Sequence, residues 1–411
     1  MTPAGPGGPA DGPAGPDRGA AGPATVVVIG AGLIGTSVAL AMRARGAQVW
    51  LADRDPAAAR LAAHIGAGHV LPGGPAWPGP DDLAGHPEAG HPDGDDRDGE
   101  DPGTAGLPAD IAVLAVPPAA VAAELAAAQE RGLARSYTDV ASVKELPLAQ
   151  ARDLGCDLTS YVPGHPLSGR ERSGPAAARA DLFLGRPWVL CPGPETDPAA
   201  VAAATSLALT CGGQPVLLST AEHDRWVALV SHVPHLVASG MAARLEHAPG
   251  GALGLAGQGL RDVTRIAASD PGLWAQILTA NARPVAEILA QVGAELQAAA
   301  RTLTRIGSGE EDAVKELTAT LERANAGVAR IPGKHGGPPR DYAIVQVVIP
   351  DRPGELARLF EAAGEAGINI EDVGIEHSPG LPAGVAELAV RPDAAPGLIS
   401  ALAAGGWHVR R

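Results

Sequence analysis

The feature that most constrains the fold is a short apolar run that ends in a glycine-rich turn near the start of the chain. Residues 25–29 read TVVVI, a β-branched run typical of a strand buried on both faces. GAGLIG follows at residues 30–35 and opens a helical pattern that extends from residue 33 to about residue 45. A second apolar run, QVWLA at 48–52, completes a βαβ unit. This order predicts an α/β fold with a doubly wound sheet of the Rossmann type.

The glycine turn matches G-x-G-x-x-G, in which the glycines permit a tight turn and close approach of the backbone to a pyrophosphate. The helix N-terminus adds free N–H groups and a positive dipole end. Asp53 ends the second strand, where a carboxylate accepts hydrogen bonds from ribose hydroxyls and repels a 2′-phosphate. We therefore expect NAD as the cofactor, a preference that the adjacent Arg54 weakens. The predicted cofactor-binding residues are Gly30, Ala31, Gly32, Leu33, Ile34, Gly35 and Asp53.

Charge and cysteine content restrict the partners. The chain of 411 residues has 46 acidic and 31 basic side chains, and its net charge of -15 argues against nucleic acid and anionic membranes as partners. The three cysteines form no CxxC pair and are expected to be free thiols in a reducing cytoplasm. Neither a signal peptide nor an apolar run long enough to span a bilayer is apparent. His86 and His91 invite a metal site, but nothing fixes ligands around them, so no metal is predicted.

Composition divides the chain into segments. The start is rich in Gly, Pro and Ala without apolar periodicity, and a later stretch is dominated by Gly, Pro, Asp and His. Residues 161–162 and 188–190 look like further strands of the first domain. Long Ala- and Leu-rich helical patterns follow, and the last part alternates between strand and helix patterns. The predicted segments are a disordered tail (1–23), a dinucleotide-binding domain (24–190) with a flexible insertion (72–108), a helical dimerisation and substrate domain (191–326), a linker (327–340) and a regulatory domain (341–411).

Two later segments carry candidate catalytic side chains. A nicotinamide cofactor needs a substrate carbon that bears a hydroxyl, and a base that takes the hydroxyl proton. DVASVK at 139–144 and GHPLSG at 164–169 both lie where strands are expected to end, at the edge where doubly wound sheets bind ligands. His165, held between a glycine and a proline in such a loop, is the better candidate for the base.

Five motifs together resemble the prephenate dehydrogenase family: GAGLIG, DVASVK, GHPLSG, SHVPH and RDVTRIAASDP followed by a tryptophan. The resemblance covers about residues 25–325. It implies a helical second domain like that of 6-phosphogluconate dehydrogenase, a homodimer, and NAD-dependent oxidative decarboxylation of prephenate to 4-hydroxyphenylpyruvate in tyrosine biosynthesis. Arogenate dehydrogenase, which makes tyrosine directly, is the alternative activity. The two substrates differ in a keto or amino side chain, and no residue that can be placed is expected to contact that group.

The resemblance also implies roles for individual residues. His165 takes the proton from the ring hydroxyl, and Ser142 hydrogen-bonds His165, the hydroxyl or the nicotinamide. His235 and Trp274 belong to the substrate pocket, and Arg265 binds the ring carboxylate, since a guanidinium suits bidentate carboxylate binding. The arginines left open as ligands of the side-chain carboxylate are Arg170, Arg172 and Arg261.

The C-terminal segment resembles an ACT domain. Its elements are expected in the order βαββαβ of a ferredoxin-like fold, with DRPGEL at the first turn and GINI entering the second strand, which is expected at residues 368–376. ACT domains bind amino acids near the first turn, so Gly354, Asn369 and Ile370 are the predicted effector-binding residues and tyrosine is the expected effector. A dimerisation module without a ligand is the alternative.

Two other functions compete with this interpretation. β-Hydroxyacid dehydrogenases share the architecture but rely on a lysine early in the helical domain, and this chain has no lysine between Lys144 and Lys315. A non-catalytic sensor of NAD and an amino acid belongs to a different class. The joint presence of His165, Ser142 and Arg265 argues against a sensor.

Overall fold

The structure is a computed structural model that describes residues 22–72, 107–168, 174–332, 342–377 and 382–410. The predicted tail and insertion, with His86 and His91, lie almost wholly outside these residues, as do Arg170 and Arg172. The described chain forms two compact units. One unit consists of residues up to 253 together with 262–291, and the other of 254–261 together with 292–411.

The first unit begins with a six-stranded parallel sheet. Its elements are β1 (Thr25–Ile29), α1 (Leu33–Arg43), β2 (Gln48–Ala52), α2 (Pro56–His64), β3 (His69–Val70), β4 (Ala109–Leu114), α3 (Val121–Glu130), β5 (Ala134–Asp139), α4 (Glu145–Asp153) and β6 (Tyr161–Val162). The strand order is β3-β2-β1-β4-β5-β6, and every neighbouring pair is parallel. This order is that of a dinucleotide-binding fold, so the predicted doubly wound sheet is confirmed.

The central strand β1 shows why these residues form a buried sheet. Val26 and Val28 pack into one apolar cluster, while Val27 and Ile29 pack into a second cluster on the opposite face. The side chains of a strand alternate between its faces, so both faces of β1 are covered and none of these four residues is more than 3% exposed.

A small second sheet follows, and the sequence predicted only part of it. Its elements are β7 (Gly164–Pro166), β8 (Pro187–Leu190), α5 (Pro198–Thr210) and β9 (Gln214–Leu217), with β8 antiparallel to β7 and parallel to β9. The run at 188–190 was predicted, but β9 falls where only helices were expected. Proline and mostly exposed side chains mark β9 as an edge strand, which has no buried apolar run to reveal it.

Helices form most of residues 220–328, as predicted for this part of the chain. They are α6 (Thr220–Val227), α7 (Val233–Ala243), α8 (Gly250–Leu253), α9 (Gln258–Arg265), α10 (Pro271–Ala280), α11 (Ala282–Gly307) and α12 (Ala313–Val328). A π-helical turn, Ala228–His232, joins α6 to α7. Contrary to expectation, the joined stretch Thr220–Ala243 is long and apolar enough, by length and composition alone, to cross a membrane. It also carries His223, Asp224 and His232, which are buried and hydrogen-bonded within the protein.

The C-terminal elements have the predicted βαββαβ order. They are β10 (Ala343–Pro350), α13 (Glu355–Glu365), β11 (Asp372–His377), β12 (Ala383–Val390), α14 (Ala395–Ala404) and β13 (His408–Arg410). The sheet is antiparallel in the order β11-β12-β10-β13. The strand expected from residue 368 begins only at Asp372, because Ile368 and Ile370 precede it and pack against the apolar core instead.

Candidate active site

The glycine turn after β1 is shaped by close backbone contacts. A Cβ on Gly30, whose φ is +101°, would lie 2.3 Å from the Ala115 carbonyl oxygen, and one on Gly35 would lie 2.0 Å from the Gly30 oxygen. A Cβ on Gly32 would meet nothing within 4 Å. Packing therefore requires glycine at residues 30 and 35. At Gly32 the turn leaves room for another molecule at the start of α1, as a pyrophosphate site needs.

Asp53 lies beside this turn with its carboxylate held in place. One oxygen accepts a hydrogen bond from the Ala31 N–H at 2.5 Å, and the other accepts one from the Asp55 N–H at 2.8 Å. A partly exposed carboxylate next to the glycine turn fits the ribose end of a dinucleotide.

His165 begins a chain of three hydrogen-bonded side chains. It lies on β7, where it pairs with Val189 of β8. Its Nδ1 is 2.8 Å from Nε2 of His223, and Nδ1 of His223 is 2.7 Å from an oxygen of Asp224. His223 and Asp224 are at most 1% exposed, whereas His165 is partly exposed.

Backbone groups at the start of α4 hold Asp224. Its two carboxylate oxygens accept hydrogen bonds from the Lys144 N–H at 2.8 Å and the Glu145 N–H at 2.9 Å. An ionised carboxylate only accepts, so the neutral His223 ring donates from Nδ1 and accepts at Nε2. His165 then donates from its own Nδ1, which leaves its Nε2 with a lone pair. The arrangement therefore leaves His165 Nε2 able to accept a proton.

A buried ion pair supports the same region. Lys144 Nζ contacts a carboxylate oxygen of Asp139 and donates to the Gly164 carbonyl at 2.6 Å. The other Asp139 oxygen accepts from the Tyr161 hydroxyl at 2.6 Å. Lys144 and Asp139 are fully buried. The pair therefore ties the end of β5 to the residue that precedes His165.

These surroundings keep the histidines neutral. The pKa of His165 lies well below its ordinary value, first because the ring is poorly solvated and then because His223 and Lys144 disfavour a further positive charge. Burial lowers the pKa of His223, although Asp224 opposes that shift, and burial lowers the pKa of His232 to about 4. His165 is thus able to accept a proton at neutral pH.

The structure brings some of the predicted substrate residues together. The His235 ring stacks on Trp274 with centroids 3.6 Å apart and an interplanar angle of 5°, and it also bonds the backbone of Ile266. Arg265, one residue earlier, is exposed at the end of α9. Ser142 is partly buried in the segment between β5 and α4. The proposed roles of Ser142 and Arg265 stay predictions.

Sequence reasoning missed His223, Asp224, Asp139 and Tyr161, and it gave Lys144 no role at the site. Two signals were available. Lysine occurs only three times in the chain, and one of the three lies in DVASVK. His223 and Asp224 are adjacent polar residues on the buried face of α6. Within the described residues no group of three or more His, Cys, Asp or Glu side chains could hold a metal ion.

Comparisons with known proteins identify the family to which the chain is similar. Residues 95–217 match the family model described as prephenate dehydrogenase, nucleotide-binding domain, and residues 219–322 match prephenate dehydrogenase, dimerization domain. The probable prephenate dehydrogenase NovF of Streptomyces niveus is 38% identical over 388 residues, which cover 93% of this chain and 98% of that protein.

Solved structures show the same fold. Synechocystis arogenate dehydrogenase is 24% identical with a TM-score of 0.55, over 74% of this chain and 99% of the other. Prephenate dehydrogenase from A. aeolicus, solved in complex with hydroxyphenyl propionate and NAD+, is 24% identical with a TM-score of 0.57, over 74% and 98%. From the full-length relative, the two family models and the glycine turn beside Asp53, we conclude that the chain belongs to the prephenate dehydrogenase family and is an NAD-dependent oxidoreductase.

Proposed function

We propose that the enzyme oxidises and decarboxylates prephenate to 4-hydroxyphenylpyruvate. The observation that carries the proposal is the chain from Asp224 through His223 to His165, which leaves His165 Nε2 available as the base. The similarity to NovF, named as a probable prephenate dehydrogenase, supports prephenate as the substrate.

The proton follows a simple path in this proposal. His165 Nε2 takes the proton of the C4 hydroxyl as a hydride leaves C4, and NAD supplies the hydride acceptor. The ring carboxylate then leaves as carbon dioxide, its bonding electrons aromatise the ring, and the phenolate oxygen takes the proton back from His165. While His165 is cationic, its Nδ1–H donates to His223, and the Asp224 carboxylate stabilises the resulting charge.

Four further residues complete the proposed substrate site. Arg265 binds the ring carboxylate that is lost, and Ser142 hydrogen-bonds the reacting hydroxyl or His165. The stacked pair of His235 and Trp274 forms a rigid wall of the pocket, since each ring restricts the other.

Steady-state kinetics with prephenate and arogenate test the substrate. Production of NADH is followed with each substrate. We expect kcat/KM for prephenate to exceed that for arogenate by about tenfold or more. A pocket that hydrogen-bonds the keto side chain of one substrate discriminates strongly against the amino side chain of the other. The reverse preference would make the enzyme an arogenate dehydrogenase. Absence of NADH with both substrates would favour the sensor of NAD and an amino acid.

We also propose that the enzyme is a cytoplasmic homodimer inhibited by tyrosine through an ACT domain at residues 341–411. The βαββαβ order and the match to a dimerization-domain model support this proposal. Gly354 has a φ of +89° immediately before α13, and the exposed Asn369, which donates to Glu371 at 3.0 Å, follows the other end of that helix. Together with Ile370 they are the proposed effector residues.

A truncation tests the regulation. The full chain and a chain ending at Pro332 should both oxidise prephenate, but only the full chain should lose affinity for substrate in the presence of tyrosine, by roughly 5- to 150-fold. Equal inhibition of both proteins would instead indicate competition at the catalytic site. Light scattering of the full chain checks the dimer, and a monomeric mass would contradict it.

A further inference from the structure

Two neighbouring residues at the end of β2 favour opposite cofactors. Asp53 suits the ribose hydroxyls of NAD, whereas an arginine in this neighbourhood is the usual ligand of the 2′-phosphate of NADP. Arg54 directly follows Asp53, and its side chain is 56% exposed. The sequence alone does not decide between NAD and NADP. The preference therefore depends on which group binds the Arg54 guanidinium.

The structure shows that Glu124 holds it. Nε and Nη2 of Arg54 both donate to one oxygen of Glu124, at 3.1 and 2.8 Å. Glu124 lies in the first turn of α3, and its side chain is only 2% exposed. Since β2 and β4 flank β1, the ion pair joins the segments after these two strands at the edge of the sheet where the glycine turn lies.

We propose that Glu124 makes the enzyme selective for NAD by keeping Arg54 from binding a 2′-phosphate. If the guanidinium leaves this pair, the buried Glu124 carboxylate loses two charge-assisted hydrogen bonds, which is costly. The hydrogen bonds to Ala31 and Asp55 also keep the Asp53 carboxylate in place. Asp53, Arg54 and Glu124 together carry one net negative charge, which repels an additional phosphate.

A purely structural ion pair would behave differently. If Glu124 and Arg54 only tied α3 to the end of β2, removing the Glu124 charge would lower stability and weaken NAD and NADP alike. The ratio of the two affinities is therefore the quantity that distinguishes selectivity from simple support.

The experiment compares the wild type with Glu124→Gln, Arg54→Ala and the double variant. Binding of NAD+ and NADP+ is measured by calorimetry without substrate, and kcat/KM is measured with each cofactor. We expect Glu124→Gln to raise the preference for NADP by about tenfold or more, the effect of one charge-assisted hydrogen bond. The double variant should not show this increased preference for NADP, because the Arg54 guanidinium released from Glu124 is the proposed cause of the increase.

Three results would overturn the proposal. The first is a ratio of NADP+ to NAD+ affinity in Glu124→Gln within about twofold of the wild type, and the second is a gain in that ratio that persists in the double variant. The third comes from Arg54→Ala, which remains informative if Glu124→Gln does not fold. If Arg54→Ala alone weakens NADP+ binding about tenfold relative to NAD+, Arg54 already binds the phosphate in the wild type and Glu124 does not restrain it.

Discussion

Replacing His223 tests whether the buried chain orients the base. His223→Leu removes the acceptor that lies 2.8 Å from His165 Nδ1, so the imidazole is free to place its proton on Nε2, where it blocks catalysis. It also removes the hydrogen bond that His165 donates to His223 while His165 is protonated during the reaction. Such a bond contributes about 1.5 to 3 kcal/mol, which predicts a fall in kcat of about 10- to 150-fold.

The matched control is His223→Gln, whose amide oxygen is able to accept from His165 Nδ1 and should recover most of the lost rate. NAD binding by calorimetry and the melting temperature show whether each variant is folded. We expect both variants to bind NAD like the wild type, because the ring nitrogens of His223 hydrogen-bond His165 and Asp224, which are not part of the glycine turn. If His223→Leu keeps kcat within about twofold of the wild type, His223 does not orient the base.

Three further predictions concern the same site. His165→Asn should lower kcat by about 100-fold or more with little change in NAD binding, and near-full turnover would exclude His165 as the base. Arg265→Ala should raise the KM for prephenate by about tenfold or more while NAD binding is spared, and unchanged kinetics would remove Arg265 from the carboxylate site. The pKa of His165 is lowered, so its neutral form persists below the ordinary value of 6.5. In the pH profile of kcat/KM the acidic limb should therefore have its midpoint below about pH 6.5, and a midpoint at or above that pH would contradict the lowered pKa.

Local signals in the sequence determined the dinucleotide-binding part of this protein. A strand buried on both faces needs a continuous β-branched run, and a turn whose Cβ atoms would collide needs glycine, so β1 and Gly30 are visible without any structure. The motif around His165 also sufficed to propose this residue as the base, because the segment after a parallel strand is where such sheets bind ligands.

Only the tertiary structure decided what surrounds His165. His223 is 58 residues from His165, and Asp224 is 80 residues from the Lys144 N–H that holds it. Likewise, Arg54 meets Glu124 across 70 residues. No periodicity or short motif encodes such pairs, because they form when separate strands and helices pack together. The lowered pKa of His165 arises for the same reason, since burial and the nearby Lys144 charge are properties of the packed chain.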